Sequence, residues 1–274
     1  MTIKSNDFDY ISKVIREECG IILEKGKEYL IETRVTPLMR HENLESIESL
    51  VKKIKSETRG DLKQALIESM ITNETSFFRD IHPFEILNSK IIPELIEKRK
   101  AEEELNIWCG ASSSGQEPYS LAILIKNNFP QINTWKINFL VSDISNKDLK
   151  RCKSGIYTQL EVNRGLSPTL LARYFDRKGM EWQVKDELRQ VMQFQIINLA
   201  GSWPKMLQLD LVMMRNVLIY FSLQMRKKVL GKISKLLKAD GYLFLGAAET
   251  TINLDKNFER IPFNQSGCYR LINE

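Results

Sequence analysis

The fold of this chain is decided by one stretch of sequence, Trp108-Cys-Gly-Ala-Ser-Ser-Ser-Gly-Gln-Glu-Pro-Tyr-Ser120. An apolar run that includes Leu105 and Ile107 leads into it and predicts a buried strand. Pro118, a residue favoured at the start of helices, is followed by apolar residues at helical spacing and predicts the next helix. The stretch is therefore predicted to turn from a strand into a helix, where α/β proteins bind mononucleotides.

The chemistry of this turn argues against a phosphate ligand. Gly110 and Gly115 have the spacing of a phosphate-binding loop, which carries Lys and then Ser or Thr after its second glycine. Here Gln116 and Glu117 occupy those positions, and Glu117 would repel a triphosphate. The three-glycine spacing of a dinucleotide site is also absent. S-adenosylmethionine suits the turn better, because it carries a sulfonium and an ammonium and has no phosphate.

A second acidic residue follows the next predicted strand. Residues 137–143 form a β-rich run that ends in Asp143, after the intervening helix. The carboxyl ends of parallel strands meet at one edge of a sheet, so we expect the Asp143 carboxylate to accept hydrogen bonds from the ribose of the cofactor. A structural glycine turn with solvated Glu117 and Asp143 stays open as an alternative, because short motifs also occur by chance.

The composition is that of an ordinary globular protein, with 43% hydrophobic and 27% charged residues in 274. The first residues do not have the pattern of a signal peptide, and no apolar run approaches membrane-spanning length. We therefore expect a cytoplasmic protein without direct membrane insertion. The cysteines include no C-x-x-C pair, and His41 and His82 lie far apart. We expect neither a disulfide framework nor a metal site.

The charge distribution is mildly uneven. The net charge is +5, from 40 basic and 35 acidic residues. Residues 1–75 hold 12 basic and 14 acidic side chains, so this part carries −2 and the remainder +7. Nucleic-acid-binding domains carry a dense basic stripe, and this imbalance is too small for one. We therefore predict no nucleic-acid partner.

Hydrophobic periodicity divides the chain. In residues 1–72 apolar residues recur every three or four positions in four stretches, which predicts a helical bundle in which Pro37 kinks or restarts the second helix. Residues 73–82 form a linker rich in polar residues, aromatics and an arginine. Residues 83–274 alternate predicted helices and strands, which indicates a doubly wound α/β sheet. A hairpin around residues 264–267 is predicted to close it, and a glycine-broken subdomain is predicted at about 150–192.

Seven sequence blocks occur in order across nearly the whole chain, and together they resemble the chemotaxis receptor methyltransferases, the CheR family. The blocks are Asn73-Glu-Thr-Ser-Phe-Phe-Arg79, Gly115-Gln-Glu-Pro-Tyr-Ser120, Ser142-Asp-Ile144, Lys153-Ser-Gly-Ile-Tyr157, Arg173-Tyr-Phe175, Asn198-Leu199 and Arg215-Asn-Val-Leu-Ile-Tyr-Phe221. The resemblance implies an all-α N-terminal domain and a class I S-adenosylmethionine-dependent methyltransferase domain with a small antiparallel β-subdomain. It also implies O-methylation of glutamate side chains on the cytoplasmic helices of transmembrane chemoreceptors, with S-adenosylhomocysteine as the other product.

The resemblance also implies which residues form the site. Arg79 would face the reacting centre and Tyr220 would point toward the methyl group, so these two are the candidate catalytic residues. The residues implied to bind the cofactor are Asn73, Thr75, Arg79, Glu117, Asp143, Asn198, Leu199, Met214 and Arg215. Residues 198–199 would flank the adenine, and residues 214–215 would approach the methionine end.

The chemistry of this reaction agrees with the residues that are present. A glutamate side chain has a reference pKa of about 4.3, so it is an anion near neutral pH and needs no general base. The enzyme has to hold a carboxylate oxygen roughly 3 Å from the methyl carbon, in line with the departing sulfur. We predict that Arg79 orients the incoming carboxylate and that Tyr220 orients the carboxylate or the sulfonium.

One feature differs from better-known family members, and two other functions stay open. Members that tether to a receptor's C-terminal pentapeptide have a longer loop after the Arg-Tyr-Phe block, whereas here the path from Phe175 to Glu187 is short. We therefore do not expect pentapeptide tethering.

The open alternatives are methyl transfer to another substrate class, such as RNA or a small molecule, and a module that senses S-adenosylmethionine without turnover.

Overall fold

The structure is a computed structural model that describes residues 3–263 and 267–272. The chain divides into two compact units. The first contains the residues up to 72 together with the short segments 198–202 and 220–225. The second contains residues 73–197, 203–219 and those from 226 onward.

The first unit is a helical bundle, as the periodicity predicted. Its helices are α1 (Ser5–Cys19), α2 (Glu28–His41), α3 (Ile47–Ser56) and α4 (Asp61–Met70). Each buries the apolar stripe visible in its sequence; in α2 the buried residues are Ile31, Val35 and Met39. Of the two outcomes predicted at Pro37, a restart is wrong, because α2 continues through this residue, and a kink stays a prediction. A proline removes one ladder hydrogen bond, and the buried face of α2 extends on both sides of it.

The two later segments complete the first unit by local contacts. Ile21 forms a β-bridge with Phe221, and the Ile22 N–H donates to the Tyr220 carbonyl at 3.0 Å. Gly20 ends α1 in a left-handed conformation with φ of +77°, which glycine adopts without strain. The chain can therefore turn sharply from α1 into the bridge.

The second unit is built on a mostly parallel sheet of seven strands, which confirms the predicted fold class. The strands of the unit are β1 (Glu104–Gly110), β2 (Lys136–Asp143), β3 (Ile156–Thr158), β4 (Phe175–Lys178), β5 (Glu181–Val184), β6 (Met192–Ile196), β7 (Leu209–Met214), β8 (Leu237–Leu245), β9 (Phe258–Arg260) and β10 (Gly267–Leu271). The large sheet has the order β6-β2-β1-β7-β8-β10-β9, with parallel pairing from β6 to β8. Every residue of β7 is buried, as expected for a central strand covered on both faces.

The end of the sheet confirms the predicted hairpin. β10 pairs antiparallel with both β8 and β9. Residues 264–266 of the predicted turn lie outside the described residues. Antiparallel strands can be joined by a short turn, whereas parallel strands need a longer crossover connection, so this pairing agrees with a closing hairpin.

The remaining helices precede β1 or lie between later strands of the chain. They are α5 (His82–Ile86), a π-helical turn (Leu87–Ile91), α6 (Ile92–Lys98), α7 (Gln116–Asn128), α8 (Asn146–Ser154), α9 (Gln159–Asn163), α10 (Pro168–Tyr174), α11 (Asp186–Arg189) and α12 (Leu223–Leu236), with 3-10 turns at Pro130–Ile132 and Leu218–Tyr220. None of the helices in the described part of the chain combines the length and apolar character that crossing a lipid bilayer requires.

The inserted subdomain is a small antiparallel sheet, as predicted, with the strand order β3-β5-β4. Only Gly179 and Met180 lie between β4 and β5. Gly179 has φ of +60°, the left-handed conformation that a two-residue hairpin turn requires. The short loop read from the sequence is therefore a tight hairpin.

Candidate active site

The decisive turn leaves β1 at the carboxyl edge of the parallel sheet. Ala111, Ser113 and Gly115 all have positive φ, and the Ser112 N–H donates to the Ser142 carbonyl at 3.0 Å. Gly115 has φ of +98°, and a Cβ there would lie 2.3 Å from the Cys152 Sγ. This turn therefore requires glycine at 115 for both conformation and space. The helix α7 begins at Gln116, two residues before the predicted Pro118.

Packing also explains why the first residue of the turn is a glycine. Met214 is buried at the end of β7, and a Cβ at Gly110 would lie 2.4 Å from its Cε atom. The Met214 side chain therefore lies directly against the start of the turn. This places one of the predicted cofactor-binding residues beside the glycine stretch.

Asp143 ends β2 at the same edge, as expected. Its Oδ2 accepts the Ser113 N–H at 2.8 Å and its Oδ1 accepts the Ser145 N–H at 2.8 Å. Burial raises the pKa of this carboxyl to about 6, against the lowering effect of these hydrogen bonds. Each oxygen of a carboxylate can accept a further hydrogen bond, so Asp143 keeps the capacity to bind hydroxyl groups.

Glu117 is held by a buried arginine. The Arg215 side chain is 1% exposed, and its Nη1 donates to the Glu117 Oε2 at 2.6 Å. Its Nη2 donates to the Asp80 Oδ2 at 2.8 Å and to the Arg79 carbonyl at 3.0 Å. Burial raises the pKa of Glu117, and the charge of Arg215 and its hydrogen bond oppose this shift. Arg215 therefore fastens the linker to the first turn of α7, a role that the sequence did not predict.

The linker lies along this turn. The Asn73 Nδ2 donates to the Asp148 Oδ2 at 2.7 Å, and the Asn73 carbonyl accepts from the Ser113 hydroxyl at 3.2 Å. Thr75 is half-buried in the same segment. Phe78 and Asp80 have φ of +47° and +60°, which is unusual for residues other than glycine. The contacts of the linker therefore hold a strained main chain.

Arg79 is half-buried, and its Nη1 donates to the Glu74 carbonyl at 2.8 Å. The charge of Arg79 opposes the rise in the pKa of Glu117 that burial causes. The second unit thus brings together the predicted site residues Asn73, Thr75, Arg79, Glu117, Asp143, Met214 and Arg215.

The other three predicted site residues belong to the first unit. The Asn198 Nδ2 donates to the Glu18 carbonyl at 2.5 Å, and its Oδ1 accepts the Ala200 N–H at 3.0 Å. Leu199 is buried, and Tyr220 is half-buried at the end of a 3-10 turn. The roles of Asn198 and Leu199 at the adenine and of Tyr220 at the methyl group stay predictions.

Two acidic residues that hold segments next to the candidate site were missed by the sequence reasoning. Asp80 is the partner of Arg215, and Glu249 accepts main-chain hydrogen bonds from the loop that follows β7. Glu249 comes shortly after the predicted strand that becomes β8, as Asp143 ends β2, so an acid near a strand's carboxyl end was the available signal. For Asp80, the available signal in the sequence was its position next to Arg79.

The charged and polar groups of this site fit S-adenosylmethionine. Both cations of the second unit's site, Arg79 and Arg215, donate to groups of the protein, and two carboxylates lie at the edge. Among the residues that the structure describes, no hydrogen-bond partner is found for the buried hydroxyl of Ser112 in the turn. Such a site suits a ligand with positive charge and hydroxyl groups. Within residues 3–263 and 267–272, no three Cys, His, Asp or Glu side chains cluster as metal ligands would.

Comparison with known proteins gives matches over nearly the whole chain. Residues 6–71 match the model of the all-alpha domain of CheR methyltransferases, and residues 73–266 match the model of their S-adenosylmethionine-binding domain. Chemotaxis protein methyltransferase 1 of Pseudomonas aeruginosa is 39% identical, covering 98% of this chain and 99% of the relative. Chemotaxis protein methyltransferases of Vibrio parahaemolyticus and Escherichia coli are 35% and 31% identical, over 99% and 94% of this chain and 98% and 89% of their own lengths.

Proposed function

From the premise that this chain belongs to the CheR methyltransferase family, we propose that it methylates glutamate side chains on the cytoplasmic helices of transmembrane chemoreceptors. The methyl donor is S-adenosylmethionine, since the second unit matches a domain that binds it. The observation that carries the proposal is the arrangement of Glu117 and Asp143 at one sheet edge beside the linker that bears Arg79. The proposed place of action is the cytoplasm.

The carboxylates account for cofactor binding in this proposal. Asp143 accepts hydrogen bonds from the ribose hydroxyls, and Glu117 holds the methionine or adenosyl portion. Asn73, Thr75, Met214 and Arg215 line the same site, while Asn198 and Leu199 flank the adenine. When bound, the cofactor supplies an electrophilic methyl group on a positively charged sulfur.

The transfer itself requires positioning and no proton transfer. A carboxylate oxygen of the receptor glutamate forms a bond to the methyl carbon while the carbon–sulfur bond breaks, and the electron pair stays on sulfur. Arg79 orients the incoming carboxylate, and Tyr220 orients it or the sulfonium. A displacement of about 1 Å in such a reaction costs on the order of 10²-fold in rate. No histidine base is needed, because the glutamate arrives as an anion.

Pentapeptide tethering is not part of the proposal. The β-subdomain of this chain closes with a two-residue turn between β4 and β5, at Gly179 and Met180. The receptor helices are therefore proposed to dock without a C-terminal tether. Methylated RNA is disfavoured because the net charge is only +5.

The decisive experiment is transfer of radiolabelled methyl from S-adenosylmethionine to receptor-enriched membranes. A base-labile ester on receptor glutamates is expected. Label on an amine or a base would resist mild alkali and point to another substrate class. Binding of S-adenosylhomocysteine without any labelling would indicate a sensor.

The proposed role of Arg79 has a separate test. Arg79→Ala is expected to slow single-turnover transfer on the order of 10²-fold, because the carboxylate loses its orienting partner. The affinity for S-adenosylhomocysteine, measured by calorimetry, should change less than about threefold, since the carboxylates that bind the cofactor stay in place. Arg173→Ala is the matched control, because Arg173 donates to Asn127 in an exposed pair. Equal transfer rates in the two variants would contradict the role of Arg79.

A further inference from the structure

One buried carboxylate has no part in the proposed reaction. Glu249 is 8% exposed and lies four residues after the end of β8. Its Oε2 accepts the N–H groups of Gly246 at 2.6 Å and of Asn216 at 2.8 Å. Its Oε1 accepts the N–H groups of Val217 at 2.9 Å, Leu218 at 2.6 Å and Ile219 at 3.3 Å. The hydrogen bonds described for this carboxylate thus all come from the main chain.

The donors show what the carboxylate organises. Four of the donors are consecutive main-chain N–H groups that follow directly on Arg215. They belong to Asn216, Val217, Leu218 and Ile219. β7 ends at Met214, so these N–H groups lie beyond its ladder with β8. A buried N–H without a partner is costly, and one carboxylate satisfies the whole run. Glu249 therefore determines the path of the main chain after β7.

The same loop contains a strained residue and a close approach. Asn216 has φ of +60°, a conformation that persists when the surroundings impose it. A Cβ at Gly246 would lie 2.6 Å from the Asn216 Nδ2 and 2.8 Å from the Glu249 Oε2. The end of β8, the carboxylate and the loop are therefore packed without spare room.

We propose that Glu249 is a positioning residue for methyl transfer, which fixes the main chain of residues 216–219 and through it the guanidinium of Arg215. Arg215 in turn holds the Arg79 carbonyl and the Asp80 carboxylate, so the loop after β7 sets the place of the linker. This inference rests on the proposed function. The charge of Glu249 also adds to the rise in the pKa of Glu117, after the larger effect of burial.

The test replaces the carboxylate with an amide of the same size. Gln at 249 has one carbonyl oxygen, and its NH2 group would face N–H donors, so part of the run loses its acceptor. For Glu249→Gln we expect single-turnover transfer at saturating S-adenosylmethionine to fall at least tenfold per folded molecule. The affinity for S-adenosylhomocysteine should change less than about threefold, because Asp143 is held by other bonds.

The matched control separates positioning from stability. Asp210 is fully buried near the opposite end of β7 and accepts the Asn106 N–H at 2.8 Å and the Arg99 Nε–H at 2.6 Å. Asp210→Asn is expected to lower the melting temperature and to leave the transfer rate per folded molecule unchanged. If Glu249→Gln behaves in the same way, with a lower melting temperature and an unchanged rate, the positioning role is refuted.

Two further measurements keep the test decisive if Glu249→Gln does not fold. Gly246→Ala keeps the charge but pushes against the carboxylate, and it should slow transfer in the same way. Hydrogen exchange on the unmodified protein should show slow exchange at residues 216–219, and fast exchange there would refute the inference. An unmodified protein that labels no receptor refutes the proposed function instead, so the two failures are distinguishable.

Discussion

Replacing Arg215 with Met is expected to destabilise the second unit in a pH-dependent way. The guanidinium is 1% exposed and is the hydrogen-bonded partner of Glu117, which is 14% exposed. Met keeps an unbranched stem as long as the Arg stem up to Nε but lacks the guanidinium, so it leaves the Glu117 carboxylate buried without its cation. The variant therefore isolates the electrostatic part of the contact.

The magnitude follows from burial. Breaking a buried pair by removing one partner costs roughly 3–5 kcal/mol in the free energy of unfolding. The pair with Asp80 adds little, at most about 1 kcal/mol, because that side chain is 44% exposed. We therefore expect a loss of about 3–5 kcal/mol near pH 7.5.

The pH dependence has a defined sign. Burial raises the pKa of Glu117, and Arg215 opposes that shift, so removal of Arg215 raises the pKa further. A carboxyl with a folded pKa above its unfolded value destabilises the fold increasingly as pH rises above the unfolded value. The stability difference between Arg215→Met and the unmodified protein should therefore shrink from pH 7.5 to pH 5.

Urea denaturation followed by tryptophan fluorescence measures this effect in the correct unit. All four tryptophans, Trp108, Trp135, Trp182 and Trp203, belong to the second unit. Arg151→Met is the control, because the Arg151–Glu161 pair is partly exposed and worth about 1 kcal/mol or less. A loss of stability in Arg215→Met that is no larger than in Arg151→Met, or that is equal at both pH values, would contradict the buried charge pair as its cause.

Two other changes test the site. Burial raises the pKa of Asp143 to about 6. Because the proposed ribose contact requires the anion of this carboxyl, affinity for S-adenosylhomocysteine should fall below pH 6 by up to about tenfold per pH unit. Calorimetry between pH 5 and 7.5 measures this affinity, and an affinity that does not change with pH would contradict the prediction. Asp143→Asn should bind S-adenosylhomocysteine weakly at every pH. Gly165 has φ of +100°, and a Cβ there would lie 1.8 Å from the carbonyl oxygen of Phe77 in the linker. Gly165→Ala should therefore displace the linker and slow methyl transfer at least tenfold. Gly179→Ala, with φ of +60° and nothing within 4 Å, should cost only about 1 kcal/mol of strain and keep the rate.

The local parts of the site could be predicted from the sequence. The glycine-rich turn, the acid at Glu117 and the acid at Asp143 follow from short patterns of strand, turn and helix. These patterns work because side-chain periodicity and turn chemistry act over a few neighbouring residues. Pro37 is the exception, since a tertiary contact along α2 outweighs a local helix breaker.

Short-range patterns in the sequence predicted the fold class, the S-adenosylmethionine-binding domain and the acids Glu117 and Asp143 at the edge of the sheet. Only the tertiary structure decided how Arg215 is used, because its partners Glu117 and Asp80 lie 98 and 135 positions away. The same holds for Glu249, whose main-chain donors in the loop after β7 lie 30 to 33 positions before it. Backbone N–H groups are present at almost every position, so no residue type marks which of them a buried carboxylate will bind. Only the packed position of β7 against β8 brings these groups together.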